Sequence, residues 1–149
     1  MATASENRAI ALRWLKTFWD KEGDPDAIDE LSSPDVLLQC APNEEYRGRL
    51  AVKTFRQRFR QAIPDFRVYA GDITCEREIV VLRWEGNGTH TGPKFESMQV
   101  GPLPAASRQQ ILFAGHSAIT IIDGKIGGEA VWSKQRQAQM QRMLKSLDL

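Results

Sequence analysis

Residues 109–133 read QQILFAGHSAITIIDGKIGGEAVWS. Two apolar, β-branched arms flank Asp123-Gly124, a dipeptide that readily takes the backbone angles of a two-residue hairpin turn. The pattern predicts antiparallel strands over 109–122 and 125–133. Just upstream, residues 80–90 read VVLRWEGNGTH and lie in a further strand predicted over 79–91. These runs carry a polar set that a plain core disfavours: Arg83, Glu85, Asn87, His90, His116 and Glu129. Ionisable groups threaded through the main strands of a small domain point to a pocket.

Working outward, 92–108 holds Pro93, Pro102 and Pro104 and reads as an irregular flap, and 66–75 reads as another strand. Before it, 49–63 has helical spacing through Leu50, Val52, Phe55, Phe59 and Ile63, and is broken by Pro64-Asp65. Residues 42–48 are polar and loop-like, and 36–41 reads as the first strand. The chain opens with an amphipathic helix over 6–22, with Ala11, Leu12, Leu15, Phe18 and Trp19 on its apolar face, Ser5 as cap and Gly23 as stop. A short second helix follows Asp24, with Pro25 in its first turn and Ala27, Ile28 and Leu31 apolar; Ser32-Ser33-Pro34 ends it. A polar helix closes the chain, with Met140, Met143, Leu144 and Leu147 as its apolar side. Helices first and hairpin-joined strands later give an α+β fold with a curved, mainly antiparallel sheet in one domain, 1–149. Closed by helices, such a sheet forms a cone whose mouth admits a small molecule.

With 149 residues, 42% hydrophobic and 26% charged, the chain has the composition of a globular domain. A formal charge of +1 gives no electrostatic reason for a nucleic-acid or membrane partner. The local basic cluster, Arg56, Arg58 and Arg60, reads as the solvated face of its helix. Cys40 and Cys75 each sit in a predicted strand as small hydrophobes, with no CxxC and no companion histidines at metal-ligand spacing. No signal peptide and no apolar run of about 20 residues is present, so the expected location is cytoplasmic. Neither a metal site nor a dinucleotide or phosphate loop is indicated, and no cofactor is expected.

The order of elements resembles the SnoaL-like polyketide cyclases of the nuclear-transport-factor-2-like superfamily. The matching pieces are Tyr46-Arg47-Gly48, Ile63-Pro64-Asp65-Phe66, Val81-Leu82-Arg83-Trp84, Gly88-Thr89-His90-Thr91-Gly92, Phe113-Ala114-Gly115 and Asp123-Gly124-Lys125-Ile126. The resemblance implies an NTF2-like cone, cofactor-free acid/base chemistry by pocket acids and histidines, and homodimers formed through the outer sheet face. One departure stands out. Sequences of this branch commonly close the last strand with a run such as EEW and an Asp shortly after. Here Glu129 is the one carboxylate of Gly127-Gly128-Glu129-Ala130-Val131-Trp132-Ser133-Lys134.

Side chains alternate along a strand, so Arg83, Glu85 and Asn87 share one face and Trp84 and His90 the other. The Arg83–Glu85 pair resembles the Arg-x-Asp arrangement of limonene epoxide hydrolases; otherwise it is a surface ion pair. His90 opens the flap and is a candidate ligand contact near the mouth; otherwise it is a loop histidine held by backbone groups. His116 lies mid-strand between Ala114 and Ala118, small neighbours that leave room for a ligand. Counted from the turn, Glu129 lies about six positions along one arm and His116 about seven along the other, which makes them near cross-strand neighbours. Such a pair suits proton transfer. The four tryptophans serve as core or as pocket wall; Trp84 and Trp132, with Glu85, Asn87, Phe95 and Met98, are candidate ligand contacts. The expected function is a cofactor-independent cyclase or isomerase acting on a polyketide- or terpenoid-like molecule. His116 and Glu129 would move the proton and Arg83 would stabilise charge. The alternatives are a non-catalytic binding protein for a hydrophobic small molecule, favoured by the altered last strand, and an epoxide hydrolase.

Overall fold

The computed structural model describes residues 3–97 and 101–133. The predicted closing helix and Met98 lie outside them. Helix α1, Ala4–Trp19, begins at Thr3, whose hydroxyl accepts from the Glu6 backbone N–H at 3.1 Å; the Thr-x-x-Glu spacing, not Ser5, caps it. Ala11, Trp14, Leu15 and Phe18 form its buried stripe. A short helix α2, Ala27–Leu31, leads directly into β1, Ser32–Ala41. The stretch read as a loop contains a short edge strand β2, Glu44–Arg47, and α3 follows as Arg49–Ala62. Then come β3, Arg67–Glu76, and β4, Ile79–Thr89. The flap is more regular than its prolines suggest. Within it β5, Phe95–Ser97, pairs with β6, Gly101–Leu103. Two long arms, β7, Gln110–Ile122, and β8, Lys125–Ser133, complete the sheet.

The six main strands run in the order β2-β1-β8-β7-β4-β3. All neighbours are antiparallel except β1 and β8, which pair in parallel. The result is α+β: helices on one face of a curved, mostly antiparallel sheet. Burial alternates strictly along β4 and β7, so their even- and odd-numbered residues face opposite sides. The inner face, with Val80, Leu82, Trp84, Phe113 and Ile119, packs against α1 and α3. Close approach is built in at Gly86, where an added Cβ would stand 2.3 Å from the Phe66 ring.

Arg56 does not lie on a solvated helix face. It is buried, and its guanidinium donates to the carbonyls of Thr17, Phe18 and Gly23 at 2.9–3.3 Å, while Arg60 donates to those of Gly23 and Lys21. The C-terminal carbonyls of a helix lack partners within the helix and carry partial negative charge, so a guanidinium fork fits them. Burial, with Arg60 close by, pulls the Arg56 guanidinium down to about 10, and it stays charged at neutral pH. Among the described residues no helix is long and apolar enough to cross a membrane.

Candidate active site

Strand β8 begins in register with β7, Ile122 opposite Lys125 and Ile121 opposite Ile126, and then shifts. Thr120 pairs with Gly128, so Gly127 is an extra residue on β8. A one-residue bulge turns every later side chain to the opposite face. Without it Glu129 would sit opposite Ala118 and share the outer face with His116. With it Glu129 sits opposite Ile119 and points inward, while His116 sits opposite Trp132 on the outer face.

Glu129 is 2% exposed and is held by side chains from two elements. From α1, the indole of Trp14 donates to Oε1 at 2.8 Å. That of Trp19 is shared between Oε1 at 3.1 Å and Oε2 at 3.2 Å. From β7, the Ser117 hydroxyl donates to Oε2 at 2.7 Å and itself accepts from the Trp84 indole at 2.9 Å. An aromatic wall surrounds the group: Trp14 stacks on Phe18 at 5.0 Å, and Trp19 meets Phe18 and Phe59 edge-on. Burial pushes the Glu129 carboxyl above its ordinary range, and the hydrogen bonds from Ser117, Trp14 and Trp19 pull against that rise. Leu38 of β1 lies beside Glu129, and the Cys40 thiol two residues on is pushed far up by burial, with Glu44 and Glu129 adding to the effect, so it stays protonated. Trp14, Ser117 and Trp84 are buried; Trp19 is the partly buried member of the group, packed against the core.

The other expected site residues are dispersed. Arg83 and Glu85 face outward, and Arg83 reaches Asp72 at 3.5 Å across exposed surface. They do not form an inward hydrolase pair. Asn87 shares their face, and Trp132, 58% exposed, also stands outside. The His116–Glu129 pair is therefore not formed, because the bulge puts the two on opposite faces. Trp84 points inward and belongs to the Glu129 group. His90 is fully buried, with Nε2 at 2.7 Å from the Pro93 carbonyl and Nδ1 at 2.7 Å from the Ser107 hydroxyl. A carbonyl only accepts, so Nε2 carries the proton, and the ring fastens the base of the flap. Phe95 is likewise buried, against Phe55 and Phe59. A groove of about 830 Å³ runs past the hairpin tips near Glu76, Arg77 and Asp123, and another of about 430 Å³ lies beside Lys53 and Gln57; Glu129 lines neither.

Ser117 escapes a reading of sequence alone, and Trp14 and Trp19 are read there as core or pocket wall, not as donors to a carboxyl. One signal bears on them: Gly127-Gly128 inside a strand marks a bulge, and a carboxylate turned inward needs donors.

The sequence profile of the SnoaL-like polyketide cyclases matches residues 9–142. No curated protein matches the chain. Among solved structures, the fold is similar to a protein from Jannaschia sp. CCS1 provisionally named a SnoaL-like polyketide cyclase. The TM-score is 0.77 and the identity 19%, covering 93% of this chain and 92% of that one. It is also similar to AclR from Streptomyces galilaeus, provisionally described as a hydroxylase, with TM-score 0.69 and 21% identity over 93% and 85% of the two chains. A third is SalBIII, an epoxide hydrolase/cyclase-like enzyme in pyran ring formation in the polyether salinomycin, with TM-score 0.71 and 16% identity over 89% and 94%. At these identities the structures speak for the fold, whereas the profile covers most of the sequence and supports a cyclase-type function. The chain belongs to the SnoaL-like polyketide cyclase family.

Proposed function

We propose that this protein is a cofactor-independent cyclase or isomerase of a polyketide- or terpenoid-like small molecule, with Glu129 as its proton-transferring group. The observation that carries the reading is a buried inner-face carboxyl, set among aromatic rings and made more basic by burial. A substrate approaches beside Trp19, the one donor of the three that is only partly buried. Ionised Glu129 takes a proton from the carbon next to a carbonyl, and the electron pair moves onto the carbonyl oxygen. As Glu129 is neutralised its hold on the shared Trp19 N–H weakens, and that N–H turns to the developing oxyanion. The carbanion equivalent then closes the ring or is reprotonated at a second carbon, and Glu129 returns the proton. His116 and Arg83 have no part in this scheme, because both face the opposite side. A cytoplasmic location is part of the same proposal.

A second reading has its own support. Both oxygens of Glu129 are already engaged by protein donors, as in a structural anchor beneath a hydrophobic ligand site. One variant separates the two. Glu129→Gln is screened with the wild type against aromatic polyketides, terpenoid lactones and epoxides, by thermal shift and by product analysis. Turnover by wild type that drops about 100-fold or more in a folded Glu129→Gln protein supports proton transfer. Turnover at the wild-type rate in the variant overturns it. A ligand that stabilises both and is never converted establishes the binding protein.

A further inference from the structure

Trp84, Ser117 and Glu129 form a hydrogen-bond chain with a fixed direction. An indole N–H only donates, so the Trp84–Ser117 contact at 2.9 Å leaves the serine oxygen as acceptor. Ser117 is fully buried, and its own proton goes to Glu129 Oε2 at 2.7 Å. Trp14 and Trp19 reach the carboxyl by the same kind of donor-only group. Among the described residues, the three groups that touch Glu129 therefore each give a proton, and none is set to receive one. We infer that Ser117 and Trp84 are positioning residues, a one-way chain that holds the Glu129 carboxyl as a proton acceptor and leaves the Trp19 side for the ligand.

The two sides of the carboxyl differ in how they are held. Trp14 fixes one position on Oε1 and Ser117 one on Oε2, each through a buried group. Trp19 spans both oxygens at the longer distances of 3.1 and 3.2 Å and is only partly buried. It is the donor a substrate can displace. Among the described residues, charged groups on the surrounding elements are engaged elsewhere. Lys16 of α1 bonds Asp20 just past the helix end, and Arg83 and Glu85 of β4 and His116 of β7 face outward. From β1 the Cys40 thiol is the titratable neighbour, and it stays neutral. The carboxylate thus draws its stabilisation from these neutral donors. The serine, with the indole behind it, is one of the two firmly placed ones.

This rests on Glu129 as the working group, but its test does not require turnover. Protein labelled with ¹³C at the glutamate δ carbon is titrated by NMR as wild type, Ser117→Ala, Ser117→Thr and Trp84→Phe. Loss of a hydrogen bond to the charged form raises the midpoint of the carboxyl. In Ser117→Ala the Glu129 midpoint is expected about one pH unit above wild type. Trp84→Phe shifts it the same way by less, and Ser117→Thr restores it. Where a substrate has been found, the acid limb of the rate profile moves with the midpoint. A Glu129 midpoint unchanged in folded Ser117→Ala and Trp84→Phe overturns the inference, as does a downward shift in either. Trp84→Phe serves alone if Ser117→Ala fails to fold. A shifted midpoint in a protein that converts nothing keeps the chain and removes only the enzymatic reading.

Discussion

Asp20 and Glu129 are both buried carboxyls, yet their surroundings move them in opposite directions. Burial would raise Asp20, but the backbone N–H groups of Val68 and Glu22 and the Lys16 ammonium outweigh it and hold the group below its ordinary value of 3.8. Its stabilisation is complete above that value and is lost as pH falls through the lower folded one. For Glu129 the sign reverses. Between 4.5 and its raised folded value the native protein keeps a proton that the unfolded chain has released, so stability falls as pH rises across that window. Asp20→Asn is expected to cost about 2 kcal/mol at neutral pH and to flatten the acid-side loss, read by urea unfolding at a series of pH values. Neither shift is legible in the sequence, because each depends on which groups converge after folding. The bulge at Gly127 makes the same point more sharply. Counting from the turn brings Glu129 level with His116, but one inserted residue sends it to the other face, where two tryptophans of α1 wait. The paired glycines were the available sign, since glycine inside a strand marks such a shift without saying which way the next side chain turns.

Helices α1 and α3 and strands β4 and β7 were readable because each buries one face with a clean period. Strands β4 and β7 alternate without a break, and α3 buries Val52, Phe55 and Phe59 at helical spacing. Strand β2 was not readable, since Glu44–Arg47 is a four-residue polar edge with no fully buried position to set a pattern. The arginines of α3 misled for a different reason. Periodicity places Arg56 next to the apolar stripe, and charge alone argues for solvent, but the carbonyls at the end of α1 supply the partners that allow its burial. An ammonium in its place lacks the planar fork that meets several carbonyls together. Arg56→Lys is accordingly expected to destabilise by about 2 kcal/mol in urea unfolding, with the α1–α2 connection losing amide protection first.

The α+β architecture and the family were legible in the order of elements, because helix–strand succession and hairpin signals survive wide sequence change; the inner donors of Glu129 come from segments too far apart to be matched by spacing. On the outer face Tyr69, Ile79, Val81, Leu112, Ile122 and Trp132 are each 40–58% exposed, an apolar concentration on one side of the sheet. With the homodimer implied by the family resemblance, we expect two chains to pair there. Light scattering after size exclusion should give a dimer for wild type and a monomer for Trp132→Glu, whereas a monomeric wild type would remove the expectation. The parallel pairing of β1 with β8 carries a consequence for how the molecule comes into being. Leu38 must wait for Glu129, and Trp14 is separated from its carboxylate partner by 115 positions. A ribosome making this chain releases α1 and β1 long before β8 exists. One edge of β1 and two indole donors then stay unsatisfied while most of the sheet is still being translated. High contact order of this kind slows folding and leaves an adhesive strand edge in the nascent chain. The Glu129 carboxyl therefore acquires its surroundings only when the last strand docks, and partial folds that lack them are the natural state of every shorter nascent chain.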